Sequence, residues 1–151
     1  MRVVPPLISS TSTGPLGICH LPRLWLKILL YSVGKLPDGY RHGEGGFDEL
    51  TCTNLGIDRE AFVHYIETER PDYFQLEEWV RNNASKLDAD SVAKHNLRIR
   101  TGVMREELAV PRRAQLGISE EWFANADLLN AYDDWQLFHE SLLEDEPHPT
   151  V

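Results

Sequence analysis

The chain has 151 residues, 42% of them apolar and 26% charged, with a formal net charge of -9. That balance suits one soluble domain with a moderate core. The acidic excess argues against nucleic acid or an anionic membrane as the main partner, since both require clustered Lys and Arg.

Residues 1–17 (MRVVPPLISSTSTGPLG) are rich in Pro, Ser, Thr and Gly and read as an extended or flexible arm. Pro5 and Pro6 interrupt the short apolar run, so no signal peptide is expected. A first helix is predicted from Pro22 to Val33, with Pro22 in the first turn and Gly34 past its end. It is apolar nearly all round and is therefore expected to be central and buried. It also carries Arg23 and Lys27, and it is too short to span a bilayer. Cys19 and Cys52 form no CxxC pair, so reduced thiols and a cytoplasmic location are the expectation.

A glycine-rich loop follows, PDGYRHGEGGFDE over residues 37–49, leading into a short helix from Phe47 to Leu55 that Gly56 stops. Asp58 is the expected N-cap of DREAFVHYIETE, and Pro71 ends that helix. Asp72 starts YFQLEEWVRNNA, and Asp88 or Asp90 opens SVAKHNLRIRTGVM. Ser119 is expected to cap EEWFANADLL, and AYDDWQLFHESLL forms the last helix. The tail 145–151 is expected to fray. No run alternates with period two for long. The fold class is thus all-α: one compact domain of six or seven helices over residues 18–144.

The chemistry candidates concentrate on the first helix and the loop after it. Arg23 and Lys27 are four apart, on one face of a helix that is otherwise apolar. Buried cations need partners, either structural carboxylates or an anionic ligand. In the loop, Tyr40 can donate, His42 has an ordinary pKa near neutrality, and Glu44 or Asp48 can orient its imidazole or act as a base. Their spacing matches no metal signature such as HExxH, so neither metal nor cofactor is expected. His20, His64, His95 and His139 are scattered. His95 and Asn96 are adjacent on a helix and should point to different faces, with Asn96 free to close a hydrogen bond across the core. In AYDDWQLF, either Asp133 or Asp134 must face inward. No GxGxxG, GxxxxGK[ST] or GxSxG motif is present.

These residues resemble a family of small bacterial proteins catalogued as a domain of unknown function. The likeness runs over about residues 14–135. It rests on LGICHLPRLWLK, on GKLPDGYRHGEGGFDE, on LGIDREAF, on LEEWVRNNA, on KHN and on AYDDW. The loop is longer and richer in Gly than that pattern, and EELAVPRRAQLGISEEWFANADLL diverges from it. The resemblance implies an all-helical fold and no particular activity. It marks Arg23, Lys27, Tyr40, Asp48, Asn96 and Asp134 as positions of a shared polar pattern.

Two functions are compatible with this reading. One is a cofactor-independent enzyme (lyase, isomerase or hydrolase) acting on a small anionic or phenolic molecule. His42, Asp48, Tyr40 and Glu44 would be catalytic, and Arg23, Lys27, Asn96 and Asp134 would bind substrate. The other is a non-catalytic helical module that binds a small molecule, a protein partner or further copies of itself.

Overall fold

The computed structural model describes residues 2–144. Seven helices follow one another: α1 (Leu21–Ser32), α2 (Gly46–Leu55), α3 (Arg59–Glu69), α4 (Tyr73–Asn83), α5 (Ala89–Arg100), α6 (Glu106–Leu116) and α7 (Ala126–Glu144). Among the described residues the only β-type pairing is an isolated bridge between Val103 and Asn125. The domain is all-α, and no described helix is long and apolar enough to cross a membrane.

Local chemistry sets most of the boundaries. Asp58 accepts from the Ala61 N–H, and Asp88 accepts from the Ser91 N–H, each closing an otherwise open first turn. Asp72 and Gln75 form a reciprocal capping box at the start of α4. Gly56 ends α2 at φ 65°, a left-handed conformation that costs glycine little.

α1 runs through the centre. It packs on α3 and α4, while α2 packs on α3 and α5. Ile18, Leu21, Leu24 and Ile28 meet Leu55, Phe62, Ile66, Leu76 and Val80 in one apolar core. α6 and α7 pack on each other as a separate pair. The Met104 N–H donates to the Ala124 carbonyl and the Ala126 N–H to the Gly102 carbonyl, which ties the pair back to the end of α5.

Two expectations for the C-terminal third need correction. EELAVPRRAQL, for which the sequence predicted no helix, forms α6 with Pro111 inside it. Ser119 caps no helix, and residues 119–125 are irregular or turn. Asn125 provides the start instead, its side chain accepting from the Leu128 N–H. Nothing between Leu129 and Ala131 stops the helix, so one 19-residue α7 replaces two shorter predicted helices. The predicted fraying of 145–151 lies outside the described residues.

The N-terminal arm is packed rather than loose. Pro5, Pro6 and Ser10 are buried, and the Val4 N–H donates to the Lys35 carbonyl beyond the end of α1. At Gly14 the backbone lies so close to α4 that a Cβ would fall 2.3 Å from the Tyr73 ring. Only glycine permits that approach.

Candidate functional site

Buried irregular backbone must have its polar groups satisfied, and the arm has few helical partners to do it. Side chains from four helices and the junction before α1 meet that need. From α1, the Arg23 Nη1 donates to the carbonyls of Pro6 (2.8 Å) and Ile8 (2.9 Å). From α4, the buried carboxylate of Glu77 accepts from the Leu16 N–H at 3.1 Å and from the Tyr73 hydroxyl at 2.6 Å. From α5, Asn96 accepts from the Cys19 N–H at 2.8 Å and donates to the Gly17 carbonyl at 2.7 Å. His95 donates from Nε2 to the Cys19 carbonyl at 2.9 Å and accepts at Nδ1 from Asn54 at 3.1 Å. From α7, Asp127 accepts from the Thr11 hydroxyl. His95 and Asn96 therefore converge on one segment instead of pointing apart. Residues 17–19 cross α5 closely enough for both side chains to reach them.

Two ionic groups complete the network. In the first, the Arg23 Nη1 and Nη2 lie 2.6 and 3.3 Å from the two carboxylate oxygens of Asp134, and the Tyr40 hydroxyl donates to Asp134 Oδ1 at 2.6 Å. Burial, reinforced by the Asp134 charge, pushes the Tyr40 hydroxyl well above its ordinary pKa, so it stays a donor. Of the two adjacent aspartates, Asp134 is the buried one and Asp133 is half-buried.

In the second group, the Lys27 Nζ lies 2.6 Å and the His20 Nε2 lies 2.7 Å from Asp48 Oδ1. The Gly43 N–H donates to Oδ2 at 3.0 Å. On the far side of the imidazole, Nδ1 is 2.9 Å from the Ser10 hydroxyl. Burial alone would raise the Asp48 pKa, but the His20 hydrogen bond and the Lys27 charge outweigh it and hold it near 2. Burial lowers His20 to about 4 against the opposing pull of Asp48, and it also lowers Lys27. His20 is therefore neutral at neutral pH. An ionised Asp48 can only accept, so Nε2 carries the proton and Nδ1 accepts from Ser10. The backbone of His20 sits at φ 70°, an unusual conformation for a residue with a side chain, and its N–H donates to the Ser10 carbonyl.

Of the eight residues singled out from the sequence, Arg23, Tyr40 and Asp134 meet in one group and Lys27 and Asp48 in the other. Asn96 lies apart, clasping the arm. His42 belongs to neither: it is half-buried, with its ring stacked on the partly exposed Tyr31 at 3.7 Å between centroids. Glu44 is exposed and faces Arg59 at 3.5 Å. Sequence reasoning missed His20 and Ser10. His20 carried no helical-face signal, because it precedes α1 and its backbone sits at φ 70°. Ser10 carried none, because it sits in the irregular arm. Among the described residues, no three His, Cys, Asp or Glu side chains gather as metal ligands would.

The order Ser10, His20, Asp48 has the connectivity of a nucleophile relay, with a hydroxyl on one imidazole nitrogen and a carboxylate on the other. Ser10 and Asp48 are each only 1% exposed. Two surface clefts lie elsewhere. One is lined by Tyr65, Glu69, Gln75, Glu78, Trp79 and Asn82 between α3 and α4. The other is lined by Ile118, Glu120, Trp122, Phe123 and Tyr132 beside α7.

No curated protein and no solved structure matches the chain. A family model described as a domain of unknown function (DUF5069) matches residues 8–132. The match includes the clasped part of the arm, both cations of α1 and the Asp48 loop, and it stops two residues before Asp134. The chain belongs to the DUF5069 family.

Proposed function

We propose that this protein is a non-catalytic helical module that binds a protein partner through the α6–α7 end. One observation carries the reading: the buried ionic side chains are spent internally, while the aromatic ones at that end are not. Both oxygens of Asp48 and both of Asp134 already accept from the chain itself. Arg23, Asn96, His95 and Glu77 are engaged by the backbone of the arm. By contrast, Trp122 is 80% exposed and Trp135 is 60% exposed, with Leu142 and Leu143 also open on α7. Phe123, Tyr132 and Trp135 continue the aromatic surface. Large exposed aromatics are the usual anchors of protein interfaces.

The surrounding charges point to a partner different from the chain itself. Glu120, Glu121 and Glu140 are exposed near this surface. A two-fold contact between copies would set like charges against each other, whereas a basic rim on a partner would complement them. The test is quantitative affinity purification with the wild-type chain and with Trp122→Ser/Trp135→Ser. The expected result is a partner recovered by wild type and by His42→Ala, lost in the tryptophan variant, and reproduced as a 1:1 complex from purified proteins. A partner retained equally by the tryptophan variant would overturn the reading.

One observation favours a second reading, acid–base catalysis: the Ser10–His20–Asp48 connectivity. Catalysis would then run through His20 rather than His42, and the buried hydroxyl would have to be uncovered first. Turnover abolished in Ser10→Ala with the fold intact would support it.

A further inference from the structure

The cleft between α3 and α4 is lined by aromatic and acidic side chains. Its volume is about 590 Å³, ample for a small ligand. Tyr65 and Trp79 stack in its wall with centroids 5.3 Å apart and rings 11° from parallel. Phe62 braces Trp79 from the core side in an edge contact at 5.8 Å, so the indole is held in place. Glu69 and Glu78 line the same cleft. Neither has a cationic partner within 4 Å among the described residues. No Lys or Arg lines the cleft, and the side chains of Gln75 and Asn82 add further polar groups to its wall.

Aromatic faces attract cations through their quadrupoles, and a low-dielectric wall strengthens the pull of a nearby carboxylate. Two carboxylates flanking an aromatic wall suit a ligand that has two or more ammonium groups joined by an apolar chain. A net charge of -9 raises the local concentration of such polycations. It also works against anionic alternatives such as nucleotides. We propose that this cleft binds a free aliphatic polyamine, with Glu69 and Glu78 taking separate ammonium groups and the Tyr65–Trp79 wall contacting the methylenes and a cationic nitrogen. The site is distinct from the α6–α7 surface and does not depend on it.

Spermidine is the probe, titrated calorimetrically into the full chain at low salt. Saturable 1:1 binding is expected. Affinity should fall at least tenfold in Glu69→Gln/Glu78→Gln, whose side chains are exposed. It should be unchanged in the control pair Glu120→Gln/Glu121→Gln, which removes the same charge elsewhere, and in Trp122→Ser/Trp135→Ser. Equal loss in both glutamate pairs would reduce the effect to general charge attraction and overturn the site. Butylamine binding as tightly as spermidine would overturn the two-ammonium assignment. Binding of hexalysine but not spermidine would overturn the small-molecule assignment in favour of a basic peptide.

Discussion

Arg23 and Asp134, separated by 111 positions in the chain, form a buried two-pronged ion pair with Arg23 Nη1 2.6 Å from Asp134 Oδ2. The same guanidinium nitrogen holds the carbonyls of Pro6 and Ile8. One side chain thus joins α1, α7 and the arm. Arg23→Ala strands the Asp134 charge together with two backbone acceptors. The expected cost is about 3–5 kcal/mol of folding stability, measured by urea denaturation. Tyr40→Phe removes a single donor from the same carboxylate and should cost about 1–2 kcal/mol.

The Lys27–Asp48 pair gives a sharper test of a structural role. Asp48→Asn leaves a buried ammonium uncompensated and should cost about 3–5 kcal/mol. Lys27→Met leaves Asp48 with the His20 and Gly43 donors, so it should cost less. Combining the two should recover part of the loss, because the second change removes the charge that the first one stranded. A double-mutant cycle by denaturation measures that coupling, and strict additivity would show the pair to be energetically independent.

His20 makes stability depend on pH. Its folded pKa is near 4, below the ordinary value of 6.5, so the unfolded chain binds the extra proton first. The contribution is fully present above about pH 6.5 and is lost progressively as the pH falls toward 4. At 1.36 kcal/mol per pKa unit, the loss is about 3 kcal/mol. Asp48, depressed to about 2 from 3.8, adds a further loss only below about pH 4. Denaturation midpoints from pH 7 to pH 4 should therefore fall in the wild type and fall less steeply in His20→Gln.

His42 should behave differently from His20. Its ring stacks on a partly exposed tyrosine and anchors no buried group, so His42→Ala should cost no more than about 1 kcal/mol. His20→Ala should cost several times that, since it unseats Ser10 and removes a donor from Asp48. Thermal unfolding of the two variants side by side checks the contrast.

Asn96→Ala orphans the Cys19 N–H and the Gly17 carbonyl together, at an expected cost of about 2–4 kcal/mol. Hydrogen exchange at the Cys19 amide should accelerate more than exchange in the α3–α4 core if the clasp loosens locally.

Much of this fold follows from interactions within a few residues along the chain. Asp58, Asp72 and Asp88 reach backbone N–H groups three positions on, and Gly56 adopts the left-handed turn that ends α2, so these boundaries were readable in the sequence. The apolar periphery of α1 required it to be central, and burial then required that Arg23 and Lys27 be neutralised. Which carboxylate meets which cation was not a local matter. Asp134 and Asp48 are selected by where the tertiary fold brings α7 and α2 within reach of the α1 cations. His20 replaces His42 in the cluster because the arm turns back at φ 70° and directs that imidazole between Ser10 and Asp48. The sequence by itself determined the helices as far as α5 and the need for buried countercharges. Only the tertiary structure decided the pairings and the anchoring of the arm, because hydrogen bonds across tens of residues form only where packing brings the partners within about 3 Å.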